Sequence, residues 1–461
     1  MKSRLCWIVP LLFLFACVPV TKEEEITEVN FSWKNADLRS LSEFQDAGQI
    51  DSLYKFFSHR DPTVRVSVAN AFASIRSTQG LDSLYMLLSD NIPAVREGAA
   101  YAIGQIGDPG SENILLSHIN SDSSTTQLLN ARIFEAIGKL GSKDNLIAMA
   151  AAPLYNYTEE VEMLGLVRAI YQYALRDITI PQGTDKMVNI LSDENYSKAI
   201  RVMAANYIGR SRNIDLNNHI ASLSQVFSKT KEPFIKTALA LGLGRTKNNE
   251  AANFLINSFE VEEDYRVKAN ILRALNNFPI QLVNNTINTA LKDSNVHVAN
   301  LAAEYLIRNG RTANANSYRN TARSASSWPL KARMYEAANT HLTNAYRITK
   351  TNANKEIKEL FEEAENRYEK AAYLKALGPE FSNIDYIKTN GLESSDRLLQ
   401  LTAARIFMSH FSERKLSPRR KLGRDLIEIL KKTIDKNDPV LIAELSPFFV
   451  DPDLEIIPKG G

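Results

Sequence analysis

The chain has 461 residues, of which 44% are hydrophobic and 23% are charged, a balance typical of a folded protein with a large core. It carries 55 Lys and Arg against 53 Asp and Glu, and two of the basic residues, Lys2 and Arg4, belong to an amino-terminal leader. Without that leader the charges balance, so no global field would attract nucleic acid. We therefore expect no nucleic-acid partner.

The leader has the layout of a secretory signal. A basic start, Met1-Lys2-Ser3-Arg4, precedes an apolar stretch that is closed by Leu14-Phe15-Ala16-Cys17. This ending resembles the lipobox of bacterial lipoproteins. The resemblance implies that residues 1–16 are a signal peptide, and that Cys17 becomes the lipidated first residue of a protein anchored in the bacterial cell envelope.

Two other interpretations of the leader stay open. A single transmembrane helix needs roughly 20 apolar residues, and this stretch is shorter and contains Pro10. An ordinary signal peptide followed by an unrelated Cys is the second alternative, since Phe15 is large for a lipobox. With a lipobox, residues 17–36 are predicted to be a lipidated Cys followed by a flexible polar tether. The acidic run in this tether is similar to surface-export signals of Bacteroidetes lipoproteins but begins several residues after Cys17. We therefore expect an outer-membrane protein facing the periplasm, with surface display as the alternative.

An internal repeat determines the predicted fold. The segment from Asp61-Pro62 to Ile75 contains Val64-Arg65, and Val95-Arg96 follows 31 residues later with the same pattern of Ala and Ile. Each unit contains two helices with apolar residues at i, i+3, i+4 and i+7. Pro fits the first turn of the second helix, and a Gly near its end predicts a left-handed cap. One such pair cannot bury its apolar face alone, so the units must stack.

The Asp-Pro-x-Val-Arg signature and the unit length resemble HEAT repeats. This resemblance implies an all-α fold, an α-solenoid of HEAT- or armadillo-like helix pairs, over residues 37–310. We expect 311–461 to be a degenerate continuation of these repeats, with a separate helical domain as the alternative. In HEAT-like stacks the Arg after the helix-opening Val reaches the next unit, which assigns Arg65 and Arg96 as structural ties.

The chain has no recognisable catalytic or cofactor motif. Its six His are scattered singly through the repeats and lack partners at metal-ligand spacing. Glycine-rich segments follow helices, whereas a phosphate-binding loop would follow a strand. We therefore predict no metal, no cofactor, no catalytic residue and no small-molecule substrate.

Polar positions on the second helices are the candidate binding residues. Stacked second helices would present a long concave surface, and varied polar and aromatic side chains between the core positions suit a protein or peptide ligand. The alternative is that these are ordinary solvated positions. The two predicted rows comprise Asn70, Tyr101, Glu135 and Asn206, and Ser74, Gln105, Lys139 and Arg210.

The sequence therefore predicts a membrane-anchored scaffold that binds a protein or peptide partner in the envelope. The alternative function comes from resemblance to Bacteroidetes lipoproteins in which a HEAT-type array precedes a cyclophilin-type peptidyl-prolyl isomerase domain. This chain has neither signature expected of that domain, so it would be the repeat half of such a folding factor without the catalytic part.

Overall fold

The computed structural model of the chain describes residues 26–119, 126–152, 159–343, 346–414 and Val440. All regular secondary structure within these ranges is helical. Cys17 and the predicted signal peptide lie outside the described residues. The chain divides into two compact units, one ending at Tyr173 and the other beginning at Ala174. The boundaries that the sequence predicts at 36/37 and 310/311 stay predictions.

The first unit is built from helix pairs in which a short first helix is followed by a longer second helix. The second helices α3, α5 and α7 pack side by side, and α9 runs through the boundary between the units. The helices are α1 (Ala36–Asp46), α2 (Ile50–Leu53), α3 (Pro62–Ile75), α4 (Leu81–Leu87), α5 (Pro93–Ile106), α6 (Glu112–Ser117), α7 (Gln127–Leu140), α8 (Lys143–Ala151) and α9 (Glu160–Leu175).

The second unit repeats this arrangement through the last described helix. Its odd-numbered helices are the second helices of successive pairs, and each packs against the next. The helices are α10 (Pro181–Ser192), α11 (Lys198–Arg210), α12 (Ile220–Lys229), α13 (Pro233–Arg245), α14 (Asn249–Val261), α15 (Tyr265–Leu275), α16 (Ile280–Ala290), α17 (Val296–Asn309), α18 (Ala315–Ser324), α19 (Trp328–His341), α20 (Arg347–Glu363), α21 (Arg367–Leu377), α22 (Ile384–Ile387) and α23 (Arg397–Arg414).

Short polar side chains fix where the second helices begin. The Asp61 carboxylate accepts a hydrogen bond from the Thr63 backbone N–H at 2.8 Å, and Pro62 occupies the first helical position of α3. Asp264 caps α15 in the same way at 2.8 Å. A side-chain oxygen satisfies one of the amide groups left free at a helix start, and Pro lacks that amide. The Asp that precedes each of these second helices is therefore a helix-capping residue.

Glycines in the second helices allow the backbones of neighbouring repeats to approach closely. A Cβ added at Gly104 of α5 would lie 2.8 Å from the Cα of Ala136 on α7, and one added at Gly138 would lie 2.7 Å from the Cα of Ala169. Gly244 packs against Ala274 in the second unit in the same manner. Any larger residue at these three glycine positions would force the neighbouring helices apart.

Glycine supplies the predicted left-handed cap at the carboxyl ends of only some second helices. Gly107 ends α5 with φ of +78°, as predicted. Arg76 takes the corresponding left-handed position after α3, with φ of 57°, whereas Gly141 after α7 is extended, with φ of −71°. The glycines within the helices are required by packing between repeats, because Ala in the next helix occupies the space where a side chain would project.

Candidate partner-binding surface

The predicted rows lie on second helices, but they are not uniformly exposed. In the first unit, Asn70 and Ser74 of α3 are exposed, while the predicted residues of α5 and α7 are half-buried. In the second unit, Asn206 is half-buried and Arg210 is exposed on α11. The half-buried positions of the first unit are Tyr101, Gln105, Glu135 and Lys139. The assignment of all eight residues as partner contacts stays a prediction.

Three of these residues contact one another. The Lys139 Nζ lies 2.8 Å from Glu135 Oε1, one helical turn away on α7, and 5.2 Å from the centre of the Tyr101 ring on α5. The Glu135 and Lys139 side chains are each only 15% exposed. An ammonium held between a carboxylate and an aromatic face has a fixed position. This part of the surface is therefore pre-ordered.

Two arginines that sequence reasoning missed complete this cluster. Arg132 Nη1 lies 3.7 Å and Arg168 Nη1 3.6 Å from Glu135 Oε2. Both arginine side chains are 37% exposed. The i, i+3 spacing of Arg132 and Glu135 was visible in the sequence, but the contact from Arg168 on α9 depends on how the repeats stack. We call Arg132, Lys139 and Arg168, with Glu135 at their centre, the basic patch.

A second carboxylate lies close to the basic patch. Burial raises the pKa of the Glu97 carboxyl on α5, although the charges of Arg132 and Arg96 oppose this. With both carboxylates counted, the cations of the patch still outnumber the acids. A partially desolvated surface with excess positive charge attracts acidic groups, and its half-exposed guanidinium groups can form bidentate hydrogen bonds to carboxylates.

Asn70 belongs to a different part of the first unit. It lines a cavity of about 260 Å³ together with Phe31, Trp33 and Leu38. The Phe31 and Trp33 side chains are 61% and 73% exposed. Asn70 therefore lies beside a cavity formed by α1, α3 and the segment that precedes α1.

The second unit contains a groove that the sequence did not indicate. It has a volume of about 360 Å³ and is lined by residues of α17, α19, α21 and α23. Trp328 and Tyr368 line it together with the charged residues Arg333, Glu336 and Lys375. The sequence treated 321–328 as a Ser- and Ala-rich interruption, which concealed Trp328 as the first residue of a second helix.

Within the described ranges, no group of three or more His, Cys, Asp or Glu could hold a metal ion. No described helix is long and apolar enough to cross a membrane. Two of the six His donate to a backbone carbonyl of the preceding repeat: His341 Nε2–H donates to Leu306 O at 2.8 Å, and His410 Nε2–H donates to Gly378 O at 2.6 Å. Both imidazoles therefore cap the end of the preceding second helix.

Comparison with known proteins agrees with this helical architecture. The family model described as HEAT repeats matches residues 50–131. Among solved structures, Kap121p superposes with a TM-score of 0.50 at 12% identity over 89% of this chain and 49% of that chain. The chain thus spans about half the length of Kap121p. No curated protein matches the chain by sequence.

Two further solved structures give lower scores. A homology model of the full-length AP-3 complex has a TM-score of 0.38 at 13% identity, over 89% of this chain and 84% of that chain. An engineered protein has a TM-score of 0.32 at 15% identity, over 86% of this chain and 97% of that chain. The repeat match and the Kap121p superposition show that the fold is an all-α solenoid of HEAT-like helix pairs.

Proposed function

We propose that this protein is a lipid-anchored scaffold whose second helices hold a protein or peptide partner in the bacterial cell envelope. The observation that carries this proposal is the basic patch, in which three cations surround the Glu135 carboxylate on packed helices and one of them, Lys139, also lies over the Tyr101 ring. Rigid, half-desolvated Arg and Tyr side chains are the groups that contribute most to protein interfaces. HEAT-like solenoids are suited to this role because stacked repeats provide an extended surface.

The anchoring part of the proposal rests on Cys17 and the residues that follow it. The first described residues expose Phe31 and Trp33 to solvent. Aromatic side chains of this kind favour the interface between water and lipid. Their position soon after Cys17 supports a body held close to a membrane. The outer membrane with the body facing the periplasm is our preferred location, and surface display is the alternative.

Binding is tested by affinity capture and crosslinking from membranes with an Arg132→Ala/Arg168→Ala variant. These side chains are exposed enough to be removed without opening the core, whereas Glu135 and Lys139 are mostly buried. We expect the double variant to lose the captured partner and to keep its melting temperature. Arg308→Ala is the matched control, because this 63% exposed Arg lies on α17 in the second unit. Equal capture by the double variant and the wild type would contradict the proposal.

Anchoring is tested with Cys17→Ala and radiolabelled palmitate. The wild type should incorporate label and fractionate with membranes, while the variant should give an unlabelled, uncleaved or mis-sorted precursor. Equal incorporation in both would refute lipidation at this residue.

The isomerase alternative stays a prediction from resemblance. Prolyl isomerisation requires an apolar pocket that desolvates the twisted imide bond beside a fixed cation. The scaffold proposal expects no turnover of a proline tetrapeptide above background. Turnover that persists in the Arg132→Ala/Arg168→Ala variant would favour a catalytic site outside the basic patch.

A further inference from the structure

A second groove of the second unit lies between α20 and the segment that leads into α22. It has a volume of about 770 Å³, within the range of about 300–1,000 Å³ that is usual for small-ligand sites. It shares no lining residue with the groove between α17, α19, α21 and α23. All of its lining residues have polar side chains, so we call it the polar groove.

Two buried asparagines line the polar groove, and their hydrogen bonds fix how their amides are oriented. Asn354 is 9% and Asn383 is 2% exposed. Asn383 Nδ2 donates to Asn354 Oδ1 at 3.1 Å and to Leu377 O at 3.2 Å. Asn339 Nδ2 donates to Asn354 Oδ1 at 3.0 Å and to Ala376 O at 2.9 Å. Because the backbone carbonyls identify both donor nitrogens, Asn354 must face them with its oxygen.

The other half of each amide is left without a partner. Among the described residues, Nδ2 of Asn354 has no acceptor and Oδ1 of Asn383 has no donor. Polar groups of buried residues nearly always have hydrogen-bond partners, and both of these residues line the polar groove. A ligand that pairs with both must accept a hydrogen bond from Asn354 and donate one to Asn383. Hydroxyl groups can do both.

The remaining lining residues add hydrogen-bonding groups but no excess of positive charge. Two Lys and three Glu line the polar groove. Lys355 Nζ lies 3.6 Å from Glu359 Oε1, and the Tyr386 hydroxyl donates to Glu362 Oε1 at 2.7 Å. Several charged groups therefore already interact within the chain. Ser382 contributes an exposed hydroxyl, which can both donate and accept.

This lining argues against several classes of ligand. Nucleic acid requires an excess of positive charge, and lipids or other apolar ligands require apolar walls. Peptides are usually held at a sheet edge, in an apolar or aromatic groove, or by clustered arginines, and the lining of the polar groove provides none of these. A neutral ligand with several hydroxyl groups meets the requirement set by the two asparagines.

We propose that the polar groove binds a neutral saccharide, with one hydroxyl oxygen accepting from Asn354 Nδ2–H and a second hydroxyl donating to Asn383 Oδ1. Ser382 supplies a further hydrogen bond at the opposite wall. This inference goes beyond the scaffold proposal, because that surface is formed by second helices and this groove by first helices. Sequence analysis missed the site, since Asn354 and Asn383 are 29 positions apart and only the fold brings them together.

The first test exposes the full chain to a printed array of neutral, N-acetylated and uronic acid oligosaccharides. We expect uncharged members to retain the protein, and the best of them to give saturable heat in a calorimetric titration at up to about millimolar concentration, a range that includes weak specific binding. An acetylated Gly/Ala nonapeptide, which offers backbone amides without hydroxyl groups, is the control ligand. Retention by no uncharged oligosaccharide, or equal binding of the peptide or of the uronic acids, would overturn the inference.

Variants then locate the binding site. Asn354→Asp removes the free N–H donor and keeps an oxygen that can accept from Asn339 and Asn383. We expect it to weaken saccharide binding by about tenfold or more, because the new oxygen faces the ligand oxygen without a proton between them. Asn352→Asp is the matched control, since Asn352 is exposed on α20 and does not line the polar groove. Equal affinities of the two variants would refute the site.

A second variant is needed because an added carboxylate at a buried position can weaken the fold. Ser382→Ala removes one exposed hydroxyl and should keep the melting temperature. We expect it to weaken binding by about two- to tenfold, which corresponds to one hydrogen bond. Saccharide affinity that is unchanged by Ser382→Ala would refute the contact at this wall, and affinity unchanged by both variants would refute the polar groove.

This experiment is independent of the capture test described above. Arg132 and Arg168 belong to the first unit, and saccharide binding is measured without any cellular partner. The Arg132→Ala/Arg168→Ala variant should therefore bind the saccharide as the wild type does. Loss of saccharide binding in that variant would place the ligand at the basic patch and refute the polar groove, whatever the outcome of partner capture.

Discussion

The ammonium group of Lys236 connects two successive repeats of the second unit. Its Nζ lies 2.8 Å from Glu262 Oε2 in the loop of the next repeat and 5.4 Å from the centre of the Phe227 ring in its own repeat. Lys268 repeats this arrangement, at 2.9 Å from Asp293 and 5.3 Å from the Phe259 ring. Both lysines are the fourth residue of their helix. The basic residue at this position therefore joins neighbouring repeats.

The contribution of this contact can be measured with a double-mutant cycle of Lys236→Ala and Glu262→Ala. The Glu262 side chain is 9% exposed and also accepts the Asp264 backbone N–H at 3.0 Å. We expect a coupling energy of about 1 kcal/mol in the free energy of unfolding, because the pair is partly desolvated.

The matched control is the exposed pair Arg308 and Glu304, whose side chains are 63% and 34% exposed. An i, i+4 pair in solvent should couple by only about 0.3–0.5 kcal/mol. Coupling at Lys236 and Glu262 that is no larger than this value would show that the contact does not join the repeats energetically.

The sequence predicted contacts of this kind for Arg65 and Arg96 in the first unit, and the structure shows the predicted contact for Arg65. Arg65 reaches the next repeat as predicted, with Nε 2.8 Å from Asp90 Oδ2. Arg96 instead donates to the backbone carbonyl of Asp90 at 2.7 Å, in the loop that precedes its own helix. The Val-Arg signature did not reveal Lys236 and Lys268, because Lys replaces Arg at both positions and Ile235 replaces Val before the first. A search for either Arg or Lys at the fourth position of each second helix would have found them.

Two glycines of α5 provide a matched pair for testing the close packing of repeats. A Cβ at Gly104 would lie 2.8 Å from both Cα and Cβ of Ala136, whereas a Cβ at Gly98 would meet Val66 Cγ1 at an ordinary 3.5 Å. We expect Gly104→Ala to reduce the free energy of unfolding by about 1–3 kcal/mol, because the helices must move apart.

Gly98→Ala should have the opposite effect. Without a clash, Ala is favoured over Gly in a helix by up to about 1 kcal/mol, so stability should be unchanged or increased. Chemical denaturation of both variants measures the difference. Equal effects of the two substitutions would show that α5 and α7 are less closely packed than the structure indicates.

The fold was largely predictable from the sequence, but the surfaces were not. Capping residues and apolar periodicity act locally, so Asp61-Pro62 and the repeats that follow could be recognised directly. The basic patch depends on contacts such as Arg168 with Glu135, which join residues 33 positions apart. After Gly310 the repeat signature fades, although helix pairs continue through Arg414. There, pairing between repeats relies on contacts that have no fixed sequence pattern.

Glu336 should make the stability of the second unit dependent on pH. Burial raises the pKa of its carboxyl, and the charges of Lys375 and Arg333 only partly oppose this. Because the pKa of Glu336 is raised in the folded state, protonation of this carboxyl stabilises the folded protein. This stabilisation is fully present below the pKa of a Glu in the unfolded chain, about 4.3. It is lost as pH rises through the folded pKa.

Glu336→Gln imitates the protonated carboxyl at every pH. We therefore expect the variant to melt at a higher temperature than the wild type at pH 7, and the difference to shrink at pH 4. Thermal melting at the two pH values measures this. A variant that is less stable at pH 7, or a difference that is independent of pH, would mean that the ion pair with Lys375 outweighs the burial of Glu336.

Three buried asparagines connect the helix pairs beyond Gly310, where the sequence signature is weakest. Asn354 Oδ1 of α20 accepts hydrogen bonds from Asn339 Nδ2 at 3.0 Å and from Asn383 Nδ2 at 3.1 Å. Asn339 also donates to Ala376 O and Asn383 to Leu377 O, both near the end of α21. One amide oxygen thus connects α19 and the segment before α22 to α20.

Asn354→Leu should therefore reduce the free energy of unfolding by about 1–3 kcal/mol, since two buried N–H donors lose an acceptor that water cannot replace. The control is Asn189→Leu, because Asn189 is exposed on α10 and surface substitutions usually change stability by less than about 0.5 kcal/mol. Chemical denaturation measures both variants. If Asn354→Leu were as stable as the control, hydrophobic packing alone would hold these helix pairs together, and the asparagines would only fill space between them.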